Sequence, residues 1–75
     1  MWTLSDVPTG KTVIVREISG GFRLRKRLRE MGITPGRKVK IIANPGHGPV
    51  IIGVDHLRFA IGKGMAHKIT VDSPS

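Results

Sequence analysis

Residues Val50 to Ile61 read "VIIGVDHLRFAI", and the way this stretch folds back on itself decides the architecture. If Asp55-His56 forms a two-residue turn, Val54 faces Leu57, Ile52 faces Phe59 and Val50 faces Ile61. All three pairs are apolar and share a face, because side chains alternate along a strand, whereas a slip of one residue would scatter them. The segment therefore predicts a β-hairpin whose apolar face turns to a core. Asp-His is a weaker turn than Asn-Gly, since His tolerates positive φ less well. The register, more than the turn, carries the assignment.

Working back from the hairpin, "NPGHGP" (Asn44 to Pro49) has the composition of a loop, and "RKVKII" (Arg37 to Ile42) is a strand with Val39 and Ile41 on one side. Thr34-Pro35-Gly36 is a turn. Before it, Phe22 to Met31 predicts a short helix whose apolar stripe is Leu24, Leu28 and Met31, spaced i, i+4 and i+7. Its ending is sharply marked. Gly32 suits the left-handed position just past a helix, Ile33 can then touch Leu28, and Pro35 prevents any resumption. Upstream, "TVIVREI" (Thr12 to Ile18) alternates β-branched residues and predicts a strand, led in by Leu4 to Gly10 with a Pro-x-Gly turn at Pro8 to Gly10. Downstream, Gly62 to Gly64 break the hairpin, Met65 to His67 suit one helical turn, Lys68 to Val71 form a last strand, and residues 72–75 read as a frayed tail.

Five short strands and one helix inserted after the first of them, with too little core for two stacked sheets, predict a mainly β, partly open small barrel. Curling the sheet also limits exposed strand edges in so short a chain. At 75 residues this is a single domain spanning 1–75, with a core over about residues 4–71 and near the lower size for independent folding.

The run Gly10-Lys11-Thr12 resembles the tail of a phosphate-binding loop. That motif needs its first glycine five positions earlier, where Ser5 stands, and needs a helix to follow, where "VIVREI" is strand-forming. Gly10 is therefore a turn residue, and nucleotide binding by this chain is not expected.

Charge is the informative feature of the composition. Thirteen Lys and Arg stand against five Asp and Glu, and ten of the thirteen cations lie between Lys11 and Lys40. Such a field favours nucleic acid, anionic lipid or an acidic protein face. With no cysteine, disulfide and thiolate-metal chemistry are excluded. No signal-peptide pattern opens the chain, and no apolar stretch approaches the roughly 20 residues of a membrane span.

No catalytic constellation is legible: Ser5, Asp6 and three histidines are present, but nothing in the order of residues joins a nucleophile, a base and an orienting group. His47, His56 and His67 are spaced by nine and eleven residues, which matches no metal-ligand pattern and leaves at most a weak metal contact. No cofactor is expected. The helix "RLRKRLRE" stands out instead. Arg25 with Arg29, and Arg23 with Arg27, place like charges at i, i+4, and cations crowd the first turn against the helix dipole. A helix shaped for stability alone would not carry them. Arg23, Arg25, Lys26, Arg27 and Arg29 are the candidate partner-binding face. Single-stranded nucleic acid is a less favoured partner, because the chain has no Tyr and only Trp2, Phe22 and Phe59 as aromatics, with Phe59 assigned to the core.

The order Leu4…Gly10, then Arg27-Leu28-x-x-Met31-Gly32-Ile33-x-Pro35-Gly36-x-x-Val39, resembles the FeoA family of small components of ferrous-iron uptake. Gly48-Pro49-Val50, Phe59-Ala60-Ile61 and Ala66-x-x-Ile69-x-Val71 agree in the second half, so the likeness runs from about Leu4 to Val71. Its most specific part is R-L-x-x-x-G-I-x-P-G, in which Gly32, Pro35 and Gly36 set a cap and a turn. One departure is Gly62, where the family often has arginine. The resemblance implies an SH3-like barrel. It also implies a cytoplasmic, non-catalytic adaptor that meets FeoB, a membrane Fe(II) transporter with a cytosolic G-domain, or the anionic inner leaflet beside it. The alternative is a basic RNA-binding barrel of the ribosomal KOW type, suggested by "PGRKVKIIANPGHGPV"; the helix with "RLREMGITPG" has no place in that pattern.

Overall fold

The structure, a computed structural model, describes residues 1–74; Ser75 lies outside the described residues. The hairpin forms as expected. Strands β4 (Val50–Val54) and β5 (Leu57–Ile61) pair antiparallel with Val50 opposite Ile61, Ile52 opposite Phe59 and Val54 opposite Leu57. Asp55 takes the left-handed φ of 56° at the reversal, a conformation Asp tolerates better than most residues.

The rest of the sheet is built around it. Strand β3 (Lys38–Ala43) pairs with β4 on one side and with β2 (Thr12–Ile18) on the other. The last strand, β6 (Ile69–Val71), pairs with β2 and also with a two-residue strand, β1 (Trp2–Thr3). The order among the described residues is β1-β6-β2-β3-β4-β5, six strands and not five, with β1 and β5 as edge strands, each paired on one side. The barrel is therefore open. β1 escaped the sequence reading because two residues carry no periodicity and Trp2 remains 39% exposed.

Strand β2 shows how the sheet curls. Val13 and Val15 are buried in alternation, but Arg16 and Glu17 are both exposed, and the register with β6 shifts between Val15 and Glu17. Arg16 is the extra residue of a bulge, which bends the strand and increases its twist. Thr12 to Ile14 pair with β3, and Val15 to Ile18 pair with β6. A second bulge between Ile41 and Ala43 bends β3 in the same way.

Helix α1 (Phe22–Glu30) closes one side through the predicted stripe, with Leu28 fully buried and Leu24 and Met31 packed against the core. Its C-terminal hydrogen bonds are those of a Schellman ending. The Ile33 N–H donates to Leu28 O (2.9 Å), the Gly32 N–H donates to Arg29 O (2.9 Å), and Gly32 has φ +83°. Gly36, at φ +92°, closes the next turn, in which the Arg37 N–H donates to Thr34 O (3.0 Å). A one-turn helix α2 (Lys63–Ala66) leads into β6.

The core comprises Leu4, Val7, Val13, Val15, Leu28, Ile33, Val39, Ile41, Val50, Ile52, Val54, Ile61, Ala66, Ile69 and Val71. Two expectations need correction. Phe59 is only partly buried, and Leu57 is 62% exposed, because β5 is an edge strand with no element packed beyond it. Asp72, assigned to the tail, is held on both its backbone and its side chain: its N–H donates to Ile14 O (3.1 Å), and Oδ1 accepts from the Ile14 N–H (2.8 Å).

The Gly10-Lys11-Thr12 segment is a turn into a strand. Gly10 has φ +93°, its N–H donates to Ile41 O (2.7 Å), and the Lys11 N–H donates to Pro8 O (3.3 Å). A phosphate-binding loop needs such amides free to face the phosphates. Here they are consumed by the fold.

Candidate functional site: a basic helix face and its cleft

Helix α1 starts at Gly21, which offers no side-chain cap, and its first turn contains no acid. Its stability must come from packing of Leu28 and its neighbours, because the local charge pattern opposes it. Arg23, Arg25, Lys26, Arg27 and Arg29 are all exposed. The described residues contain two ion pairs, Arg16 with Asp72 and Arg37 with Asp55. Neither involves α1, so its five cations have no ion-pair partner among the described residues.

The helix geometry divides these cations. At about 100° per residue, Phe22, Arg25, Lys26 and Arg29 form one stripe at i, i+3, i+4 and i+7, roughly opposite the Leu24-Leu28-Met31 stripe. Phe22 is 74% exposed. An exposed aromatic among unpaired cations is the composition enriched in protein interfaces, where aromatic residues and Arg supply most of the binding energy. The sequence reading singled out the cations and passed over Phe22, although its spacing from Arg25, Lys26 and Arg29 was visible. Arg23 and Arg27 lie to one side of this stripe.

Arg25 and Arg29 also line a cleft of about 260 Å³ with Glu17, Ile18, Ile33, Thr34 and Pro35. Its floor is apolar, from the end of β2 and from the turn that follows α1; its rim carries the two guanidinium groups. Neither forms an ion pair with Glu17. The cleft suits a partner side chain or segment that offers a carboxylate to the rim and aliphatic surface to the floor. Three separate segments build it, which is why the order of residues did not reveal it.

A second cluster joins residues the sequence reading kept apart. Ser5 Oγ lies 2.8 Å from His67 Nδ1 and 2.8 Å from Thr3 Oγ1, and Thr3 Oγ1 donates to Asp6 Oδ2 (3.0 Å). The Thr3 N–H donates to the same carboxylate oxygen (3.0 Å). These bonds hold the Asp6 carboxyl below its ordinary range, with the backbone bond the largest cause and the Thr3 hydroxyl next. The cluster ties the 3₁₀ turn at Leu4–Asp6 to α2; neither Ser5 nor His67 lines the helix cleft. Asn44 adds to the anchoring, its Nδ2 donating to Ser5 O (3.0 Å) and Val7 O (2.8 Å). Among the described residues no three His, Cys, Asp or Glu side chains are grouped to hold a metal ion.

The family profile for the FeoA domain matches residues 2–73. The chain belongs to the FeoA family. A curated relative from Methanocaldococcus jannaschii, named "Putative Fe(2+) transport protein A", is 43% identical over 72 residues, covering 96% of this chain and 87% of the relative. Among solved structures, an iron uptake regulatory protein, FeoA, superposes with a TM-score of 0.88 at 41% identity, covering 93% of each chain. The zinc complex of Stenotrophomonas maltophilia FeoA, described as a procaryotic SH3 domain protein, superposes with a TM-score of 0.84 at 30% identity, covering 96% of this chain and 91% of that one. The open six-stranded barrel of this FeoA-family chain is thus an SH3-like fold, and the family is one of ferrous-iron transport. Among the described residues no helix is long and apolar enough to cross a membrane.

Proposed function

We propose that this FeoA-family chain is a non-catalytic adaptor of ferrous-iron uptake that docks from the cytoplasm on an FeoB-type transporter, through the Phe22-Arg25-Lys26-Arg29 face of α1 and the adjoining cleft. The observation that carries the reading is the pairing of a 74% exposed Phe22 with unpaired cations on the helix face turned away from the core. The family's link to Fe(2+) transport supplies the context. The acceptor is an acidic face of the transporter's cytosolic region. The anionic lipid surface beside it adds attraction of about 1 kcal/mol per cation held near the membrane. The chain's own chemistry would be recognition and positioning, with iron passing through the transporter.

The test is calorimetric titration of the FeoB cytosolic region with wild-type protein and with the Arg25→Glu/Arg29→Glu double variant. Wild-type binding should weaken as salt rises, because exposed charges are screened over about 8 Å at physiological ionic strength. The double variant should bind at least about tenfold more weakly and with a shallower salt dependence. Its melting temperature should stay close to wild type, since both side chains are exposed. Phe22→Ala should weaken binding without altering the salt dependence. Undiminished binding by the double variant would move the docking surface elsewhere. Parallel titrations with anionic vesicles and with RNA separate transporter docking from lipid or nucleic-acid binding.

A further inference from the structure

The outer face of the β3–β4–β5 sheet carries a second concave surface that shares no lining residue with the helix cleft. Its cross-strand register sets Lys40 opposite Gly53 and Gly53 opposite Arg58. Two cations therefore flank a glycine on neighbouring strands, with their backbones about 10 Å apart, two strand spacings of about 4.8 Å each. The groove has a volume of about 500 Å³ and is also lined by Ile42, Leu57 and His56.

Gly53 is the informative residue. It sits in the middle of a strand, where glycine is destabilising relative to alanine. Its φ is not among the positive values that favour glycine, so the backbone conformation does not require it. A Cβ there would come 3.2 Å from Ile42 Cδ1, so the Ile42 side chain lies close beside Gly53 on this face. Glycine inside a strand often marks a place where another backbone approaches closely. The charges agree with that reading. Lys40 and Arg58 are exposed and have no ion-pair partner among the described residues, and the one acid lining the groove, Asp55, is bonded to Arg37. Polyproline-binding grooves are lined by aromatic residues; this one has none.

We propose that this groove is a docking site for an extended acidic segment of a partner protein, whose backbone lies over Gly53, whose carboxylates meet Lys40 and Arg58, and whose aliphatic side chains cover Ile42. The site stands independently of the helix cleft, so the two can be engaged together or separately.

The experiment is a titration of isotope-labelled protein, followed by backbone amide shifts. The probes are acetylated peptides of about nine residues in which acidic and aliphatic residues alternate, enough to span the three strands. Saturable shifts should appear at Ile42, Gly53 and Arg58. Lysine-for-acid versions of the peptides should produce none. The Lys40→Glu/Arg58→Glu variant, altered only at exposed positions, should keep a dispersed spectrum and bind at least about tenfold more weakly. Gly53→Ala combined with Ile42→Val, which removes the methyl group the new Cβ would meet, should weaken binding with both charges intact, which separates backbone approach from simple charge attraction. The Arg25→Glu/Arg29→Glu variant should bind these peptides within about twofold of wild type. The proposal is overturned if the acidic peptides shift only α1 residues, if they shift nothing, or if inorganic phosphate or RNA reproduces the same shifts at equal or lower concentration.

Discussion

Gly32 shows how one residue can hold a junction. It ends α1 at φ +83°, and its own N–H and that of Ile33 satisfy carbonyls the helix leaves open. A Cβ at this position would meet Val54 Cγ1 at 3.5 Å, an ordinary contact. The penalty for Gly32→Ala is therefore backbone strain and not collision, about 1–2 kcal/mol. Chemical denaturation should show the midpoint falling with an unchanged slope, and an unaltered midpoint would remove the argument. Asp6 makes a second case at this scale. Its carboxyl is held below the ordinary range by bonds from Thr3, so the charged form is favoured in the folded state. The stability it adds is present above the unfolded value of about 3.9 and is lost as pH falls through the lower folded value. Asp6→Asn should flatten the fall in melting temperature below about pH 4 and leave the profile near neutrality parallel to wild type. A variant that loses stability on acidification as steeply as wild type would assign the acid response to other carboxylates.

Among elements, the hairpin separates register from burial. Ile52 is fully buried and Leu57 is 62% exposed, although both lie on the same face of the β4–β5 pair. Ile52→Ala should cost about 2–5 kcal/mol, and Leu57→Ala less than about 0.5 kcal/mol. Comparable losses from the two substitutions, measured by thermal melting, would contradict the packing. The contrast explains what was legible in advance. Three apolar pairs can coincide in only one register, so pairing was readable from Val50 to Ile61. Burial of Leu57 was not, because it depends on whether another element lies beyond β5. The ending of α1 was readable because Leu28, Gly32, Ile33 and Pro35 are close in sequence and each has a local reason. The Arg16 bulge was hidden: an extra residue in a strand looks like any other until the partner strand is known. The site divided the same way. The cations were conspicuous, and Phe22 stood at a readable spacing from them, but Ile18, Ile33 and Pro35 meet Arg25 and Arg29 only in three dimensions. Ser5 and His67, 62 positions apart, meet only because the sheet brings both ends of the chain together.

Across the whole molecule, positive charge stays on the outside and the apolar residues close a core drawn from every strand except β1, with β5 adding Ile61 alone. Both described ion pairs lie at the surface, one on an exposed Arg16 and one on a half-buried Arg37, and contribute little to stability. The fold is held by its core and by backbone pairing, which leaves the surface cations available for recognition. The pairing of β1 with β6, Trp2 opposite Val71 and Thr3 opposite Thr70, sets the first and last strands side by side. Topologically the chain is nearly a ring, and where the ring is cut matters little to the sheet. A circular permutant joined across the old ends by about five flexible residues and reopened between His47 and Gly48, both exposed, should fold with the same strand order. Its amide spectrum should overlay that of the parent away from the two junctions, and a collapsed spectrum would show that the order of synthesis matters after all. The same adjacency lets such a barrel be spliced into a loop of a larger protein, entering and leaving at one point, with both of its proposed docking surfaces still facing outward.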